Sequence, residues 1–520
     1  MLDRMSQQST RRHFFFGTLL AGAVPSAGFG SVPSLRALGY KPYYNKLNVA
    51  AIGCGGQGGS ILNQAAATEN IVALCDVDEV RAAENFKKFD KQPKYKDFRE
   101  MLDKEGKNID ACTIGIPDHM HATVALDCMR RGKHVYVEKP LTRTPWEARL
   151  LQDAAVKYKV TTQMGNQGYS HESIRAASEI IWSGEIGDVT EVHASASPGT
   201  HPTGLGEAPP EKSVPSSLNW DLWLGGANMR AYAAEYTPYN WRGFFDFGTG
   251  QIGNWGIHTM GPVNMALQLG APTSVEMIQV EKPSKLSFPE RAVLKFEFPA
   301  RGGMPPVAVY WHDGAQPGDA EAWTVPGMEG EQILPPSNNL RDKGRGGAPA
   351  GGFAGGRGGP GGPGVPGPGG RRPQGGPRTG AGGPGVTVFG PERKGVQPGL
   401  LTGNGAVFVG TKGMMATVER GEGVHLLPAS RWKDYKLPSQ LLLRSPGHMA
   451  DFIRGCKSGD QTVSDFSISG PFAEWMLLGV IAFRVPGKLM WDSKTMRFTN
   501  SAEANKYVKP AFRKGWELKL

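Results

Sequence analysis

The chain has 520 residues, 39% hydrophobic and 20% charged, enough apolar material for two folded cores. Its formal net charge of +10 sits mainly in two stretches: residues 1–36 set four arginines against Asp3, and residues 340–386 set six arginines and one lysine against Asp342. The remainder is about +1, which excludes a basic nucleic-acid-binding face, and five cysteines (Cys54, Cys75, Cys112, Cys128, Cys456) without a C-x-x-C pair exclude a disulfide framework and point to no metal site.

Residues 1–40 read as a leader. Arg11 and Arg12 precede an apolar run from Phe14 to Val24 that is too short for a permanent membrane span, the pattern of a twin-arginine export signal. This predicts a periplasmic or otherwise extracytoplasmic protein, with no membrane span beyond a leader that stays uncleaved.

From residue 46 to 165, short apolar runs alternate with amphipathic stretches. Strands are expected at Leu47–Ile52, Ile71–Cys75, Asp110–Ile114, His134–Val137 and Val160–Met164, with helices such as His119–Arg131 between them. Sustained strand–helix alternation predicts an α/β domain with a doubly wound parallel sheet. A helix over Glu172–Trp182 follows, and then the texture changes. Val189–Ala196, Val293–Phe298, Val307–Trp311, Ala406–Val409 and Ala416–Val418 alternate as strands of a second, α+β domain with a mainly antiparallel open sheet, covering 166–339 and 387–515. Residues 340–386, nearly all Gly, Pro and Arg, interrupt that domain as a segment expected to be disordered.

Chemistry concentrates at the ends of the first-domain strands. Gly53-Cys54-Gly55-Gly56-Gln57-Gly58 follows the first strand and opens a helix, the context in which a glycine turn cradles a dinucleotide pyrophosphate, the Rossmann arrangement. Asp76 ends the second strand, where a carboxylate accepts hydrogen bonds from the adenosine ribose and disfavours a 2′-phosphate. The cofactor is therefore read as NAD; Arg81, close by in sequence, leaves NADP open. Ile116-Pro117-Asp118-His119-Met120-His121 lies just past the strand ending at Ile114, and Glu138-Lys139-Pro140 just past the one ending at Val137, both at the carboxyl edge where ligands bind. Pro117, His119, His121, Glu138 and Lys139 join Gly53, Gly55, Gly56, Gln57, Gly58 and Asp76 as cofactor-site candidates.

These motifs, with Gly132-Lys133-His134-Val135-Tyr136-Val137-Glu138-Lys139-Pro140-Leu141 and Gly253-Asn254-Trp255-Gly256-Ile257-His258, resemble the glucose–fructose oxidoreductase and inositol dehydrogenase (Gfo/Idh/MocA) family over residues 46 to about 335 and 400 to 515. The resemblance implies a nicotinamide-dependent oxidoreductase acting on a secondary hydroxyl of a sugar, polyol or glycoside. An alternative within the family cleaves glycosides by transient oxidation, elimination and reduction; a third reading is a non-catalytic, nucleotide-bound sugar-binding protein. The resemblance also implies that Lys139 hydrogen-bonds the reacting hydroxyl and that His258 accepts its proton. Many members carry an aspartate four residues before this histidine; here Asn254 stands there, an amide that could orient the imidazole. Tyr169 is the substitute acid or base. Asn166, Gln167, His171, Arg175, Arg242 and Trp255 are the candidate substrate contacts, and an assembly of identical copies is expected.

Overall fold

Runs of four to six apolar residues, each stopped by glycine, proline or an acidic residue, are long enough for a strand and too short for a helix; in the structure they make one parallel sheet. The computed structural model describes residues 45–314, 323–340, 343–345 and 398–520, so the leader over 1–40 and nearly all of the Gly/Pro/Arg-rich segment lie outside the described residues. β1 (Asn48–Ile52), β2 (Asn70–Cys75), β3 (Lys94–Tyr95), β4 (Ala111–Ile114), β5 (His134–Val137) and β6 (Thr162–Met164) lie in the order β3-β2-β1-β4-β5-β6, every neighbouring pair parallel. The expected strands are all present; the two-residue edge strand β3 has no period to read. Strand order reverses between β1 and β4, and the carboxyl ends there frame a crevice.

Five helices connect these strands: α1 (Gly56–Ala66), α2 (Glu79–Lys88), α3 (Phe98–Glu105), α4 (Asp118–Arg130) and α5 (Pro145–Tyr158). Their starts are written locally. The Asp78 carboxylate accepts from the Val80 and Arg81 amides to cap α2, and Thr144 and Glu147 form a reciprocal capping box at α5, with Pro145 in the first turn.

After α6 (Glu172–Trp182) comes a nine-stranded sheet: β7 (Val189–Ala196), β8 (Ser274–Glu281), β9 (Arg291–Phe298), β10 (Val307–Asp313), β11 (Gly405–Gly410), β12 (Gly413–Val418), β13 (Gly423–Leu427), β14 (Leu489–Asp492) and β15 (Arg497–Phe498), ordered β13-β12-β11-β7-β10-β9-β8-β14-β15. All its pairs are antiparallel except β7 with β10, so the sheet is mixed, though mainly antiparallel as expected. Residues 323–340 cover part of it: Val325, Met328, Ile333 and Leu334 pack on Val407, Ala416 and Leu427.

Two late helices bind the layers together. α7 (His448–Ser458) returns to the first sheet, where Met449, Phe452 and Cys456 join Val49, Ala51 and Tyr136, and Lys457 makes a buried ion pair with Glu69 at 2.8 Å. α8 (Phe466–Ala482) is apolar around most of its circumference and is buried between α5 and β8, with Arg149 donating twice to Glu474 at 2.9 Å.

The beginning of the Gly/Pro/Arg-rich segment corrects one expectation. Leu340 is buried, Lys343 Nζ donates to the carbonyls of Trp432, Lys433 and Tyr435 at 2.6–2.9 Å, and Arg345 donates to the buried Glu179 carboxylate at 2.9 Å. Leu340, Lys343 and Arg345 therefore belong to the fold, because the two cationic side chains find backbone and carboxylate acceptors that composition cannot reveal.

Candidate active site

A cleft of about 460 Å³ opens at the carboxyl edge of the parallel sheet. One end is the glycine turn. Gly53 has φ +85°, and a Cβ there would lie 2.2 Å from the Gly115 carbonyl oxygen; a Cβ on Gly58 would lie 2.3 Å from that of Gly53. Both positions therefore require glycine, and the close strand–helix approach they allow leaves the N-terminus of α1 facing the cleft. Asp76 accepts from the Cys54 amide at 2.7 Å and the Asp78 amide at 2.9 Å, so its carboxylate fixes the turn while lining the cleft; burial raises its pKa against these donors. The Arg81 guanidinium sits beside Gly56, 3.1 Å from where a Cβ would stand. This donor set fits a nicotinamide dinucleotide: Gly53, Gly55, Gly56, Gln57, Gly58, Asp76 and Pro117 all line the cleft.

The other end holds Lys139. Its Nζ donates to the Asn254 carbonyl oxygen at 2.7 Å and to Asn254 Oδ1 at 2.8 Å, leaving its third N–H for a ligand. Burial, then repulsion from Arg242, draws its pKa down to about 7, with Glu138 acting the other way. Glu138 is buried and shared: Gln57 Nε2 (3.0 Å) and Gln167 Nε2 (3.1 Å) both donate to it. His258 lines the same end, with burial and then Lys139 holding its pKa well below the ordinary imidazole value; its Nδ1 is buried without a partner among the described residues. The histidine is thus neutral, able to accept or orient but reluctant to hold a full proton.

The Asn254–His258 relationship is corrected. Residues Ile252–Gly256 form a π-helical turn rather than α-helix, and the Asn254 amide does not reach the imidazole. It accepts from Lys139 and donates to Gln251 Oε1 at 3.0 Å. Asn254 is a positioning residue for the lysine. π turns of this kind recur at functional sites because they re-aim side chains that a regular helix would place elsewhere.

Of the remaining candidates, Gln167, Arg242 and Trp255 line the cleft. Six do not. Tyr169 lies in the core, its hydroxyl accepting from Asn264 at 2.8 Å, with burial raising its pKa beyond use as an acid or base. His119 packs between Trp223 and Phe247, its Nε2 2.8 Å from the Trp223 carbonyl oxygen, and burial drives its pKa down to about 3. His121 ties the Ile116 and Pro140 carbonyls together at 2.8 Å each. Asn166 accepts from Ser464 Oγ at 2.6 Å, and Arg175 donates to the Leu443, Tyr169 and His171 carbonyls. His171 sits behind His258 with its pKa lowered to about 4, chiefly by burial. The hydrogen bonds these groups do make go to buried carbonyls or to side chains away from the cleft, a role indistinguishable by sequence from ligand contact.

Sequence reasoning missed three contributors. Tyr239 Oη lies 3.5 Å from Asn254 Nδ2, and Arg420, from the turn between β12 and β13, reaches the cleft beside Trp255. The third is a cover of aromatic residues: Trp220, Trp223, Tyr232, Tyr236, Trp241, Phe244 and Phe247 make a separate small core. It is stitched to the end of β2 by Asn219 N to Val77 O at 2.8 Å and Glu79 N to Ser217 O at 3.1 Å. The density of tryptophan and tyrosine between 218 and 247 is the signal that could have found it.

Residues 47–166 match the family model described as "Oxidoreductase family, NAD-binding Rossmann fold", and residues 184–288 match "Oxidoreductase family, C-terminal alpha/beta domain". A levoglucosan dehydrogenase from Pseudarthrobacter phenanthrenivorans is 33% identical over 117 residues, 22% of this chain and 29% of that protein. An alpha-N-acetylgalactosaminidase from Shewanella oneidensis is 31% identical over 190 residues, 32% of this chain and 41% of that one. The chain thus spans under half the length of these curated relatives. An NAD-binding protein from Listeria innocua shares the fold at 13% identity and a TM-score of 0.50, covering 86% of this chain and 97% of its own. With two consecutive family models on a parallel dinucleotide sheet and the adjoining α/β half, the chain belongs to the Gfo/Idh/MocA family of NAD-binding oxidoreductases.

Proposed function

We propose that this protein oxidises a secondary hydroxyl of a sugar, polyol or glycoside using a nicotinamide dinucleotide that it retains through turnover. The observation that carries this reading is Lys139: an amine with pKa near 7, held by Asn254, in the same cleft as the glycine turn and neutral His258. An amine half neutral at that pH can take the hydroxyl proton as a general base. In that neutral form both N–H groups are held by Asn254 and the nitrogen lone pair faces the hydroxyl, which His258 orients from the other side. When bound, the dinucleotide supplies the acceptor for the hydride that leaves the carbon.

Retention is supported by the aromatic cover, pinned to the end of β2, and by Trp516, which adds a wall of the cleft from the far end of the chain. The Arg11-Arg12 leader supports work outside the cytoplasm, where free nucleotide is scarce and a redox-neutral cycle is required. The hydride must then return to a second carbonyl compound or to the product itself. The second course is glycoside cleavage by oxidation, elimination and reduction, and the match to the alpha-N-acetylgalactosaminidase favours keeping it as the alternative.

The test is mass spectrometry of nucleotide released on denaturing the purified protein, together with turnover of sugars and glycosides without added NAD. Near-stoichiometric nucleotide and many turnovers are expected. Apo-protein active only with millimolar external NAD, accumulating NADH, would overturn the retained-cofactor cycle.

A further inference from the structure

We propose that the substrate carries an anionic group, a carboxylate or phosphate, that docks between Arg242 and Arg420 at the Lys139 end of the cleft, making it an acidic sugar or its glycoside. This rests on the hydroxyl-oxidising reading of the same cleft.

Three cations from unrelated parts of the chain converge there. Lys139 comes from the turn after β5, Arg242 from the 3₁₀ turn Asn240–Gly243, and Arg420 from the turn joining β12 to β13; all three line the cleft. The Arg242 guanidinium is packed 4.2 Å from the Tyr239 ring centre and 4.1 Å from that of Trp241, and donates to the Tyr239 carbonyl at 3.3 Å. Stacking of this kind occupies the faces of the guanidinium and leaves in-plane N–H groups for a ligand. Arg420 lies 5.7 Å from the centre of the Trp255 ring on the same end of the cleft.

The carboxylates acting on Arg242 are Asp118 and Glu138, and both are already served. Glu138 accepts from Gln57, Gln167 and the Lys139 amide, while Asp118 accepts from Thr249 Oγ1 at 2.6 Å and faces His121. Among the described residues, neither forms an ion pair with Arg242. Taking the Arg242 guanidinium partly out of water costs free energy that hydroxyl ligands recover poorly, whereas a carboxylate or phosphate matches the fork.

Calorimetric titration of the holoprotein with two matched sets tests this: glucose, glucuronate and glucose 6-phosphate, then galactose, galacturonate and galactose 6-phosphate. In at least one set an acidic member should bind about tenfold tighter than its neutral counterpart, by an amount that shrinks with salt. The preferred member tells carboxylate from phosphate. Arg242→Gln and Arg420→Gln should each collapse that preference, and Arg242→Lys should restore part of it. If no acidic member binds more tightly than its neutral counterpart in either set, the anion site is overturned. Turnover of the same compounds separates the two readings: neutral sugars oxidised without acidic preference sink the anion site alone, and tight acidic binding with no hydride transfer sinks the oxidation reading alone.

Discussion

At the scale of residues, the chemistry depends on how Lys139 is held. An ammonium in water has a pKa near 10.4; here burial and Arg242 bring it to about 7, so the base form is populated above that pH and the acid limb of activity should fall near it. Lys139→Ala should lower turnover by at least about a hundredfold while NAD affinity, followed by fluorescence titration, stays nearly intact. Asn254→Asp gives a sharper expectation. Its carboxylate would stand where Oδ1 now accepts from Nζ at 2.8 Å, stabilising the ammonium and raising its pKa. The acid limb should therefore move to higher pH in a kcat/KM profile; a move to lower pH, or none, would show that Asn254 does not govern the lysine.

At the scale of elements, α7 decides whether the two layers stay together. Lys457 and Glu69 are buried together, and Glu69 also accepts from the Leu47 amide at 2.5 Å. Lys457→Met strands that carboxylate and should cost about 3–5 kcal/mol of stability, read by denaturant or thermal melting; adding Glu69→Gln should recover part of the loss. The elements themselves were legible: glycine turns, caps and apolar runs place β1, β2, β4, β5 and β6 within a residue or two. The site was legible where backbone demands a residue type, as at Gly53, Gly58 and the turn carrying Lys139. It failed where a fixed helical period was assumed, because the π turn redirects Asn254 away from His258. It failed again for Tyr169, His121 and Arg175, since a polar side chain meant for a buried carbonyl looks like one meant for a ligand. Arg420 had no signal at all: only the pairing of β12 with β13 brings it to the cleft.

At the scale of the whole molecule, the Gly/Pro/Arg-rich segment divides at Arg345. Deleting residues 349–386 should leave a cooperative melt and activity close to wild type, because loop-closure cost changes by only about 0.6 kcal/mol per doubling of length. Extending the deletion back to residue 340 should lower the melting midpoint, since it removes the buried Leu340, the Lys343 contacts to three carbonyls and the Arg345–Glu179 pair.

Both sides of that segment are anchored independently. Lys343 and Arg345 fix one side; on the other, Val325 donates to Gly399 at 2.8 Å and Leu401 to Trp323 at 3.0 Å. Beyond it, β11 inserts beside β7 in the second sheet, and α7 enters the core of the first. Covalent continuity between the halves is therefore not what joins them. A tryptic cut after Arg357, Arg371 or Arg378 would yield two polypeptides that migrate as one particle under native conditions and separate only on denaturation. The same logic makes the segment a natural place to divide the gene: an amino-terminal piece ending just past Arg345 and a carboxyl-terminal piece beginning before Gly399 would complement each other when co-expressed, with the dinucleotide cleft, which draws on Lys139 from one piece and Arg420 from the other, reporting on their reunion.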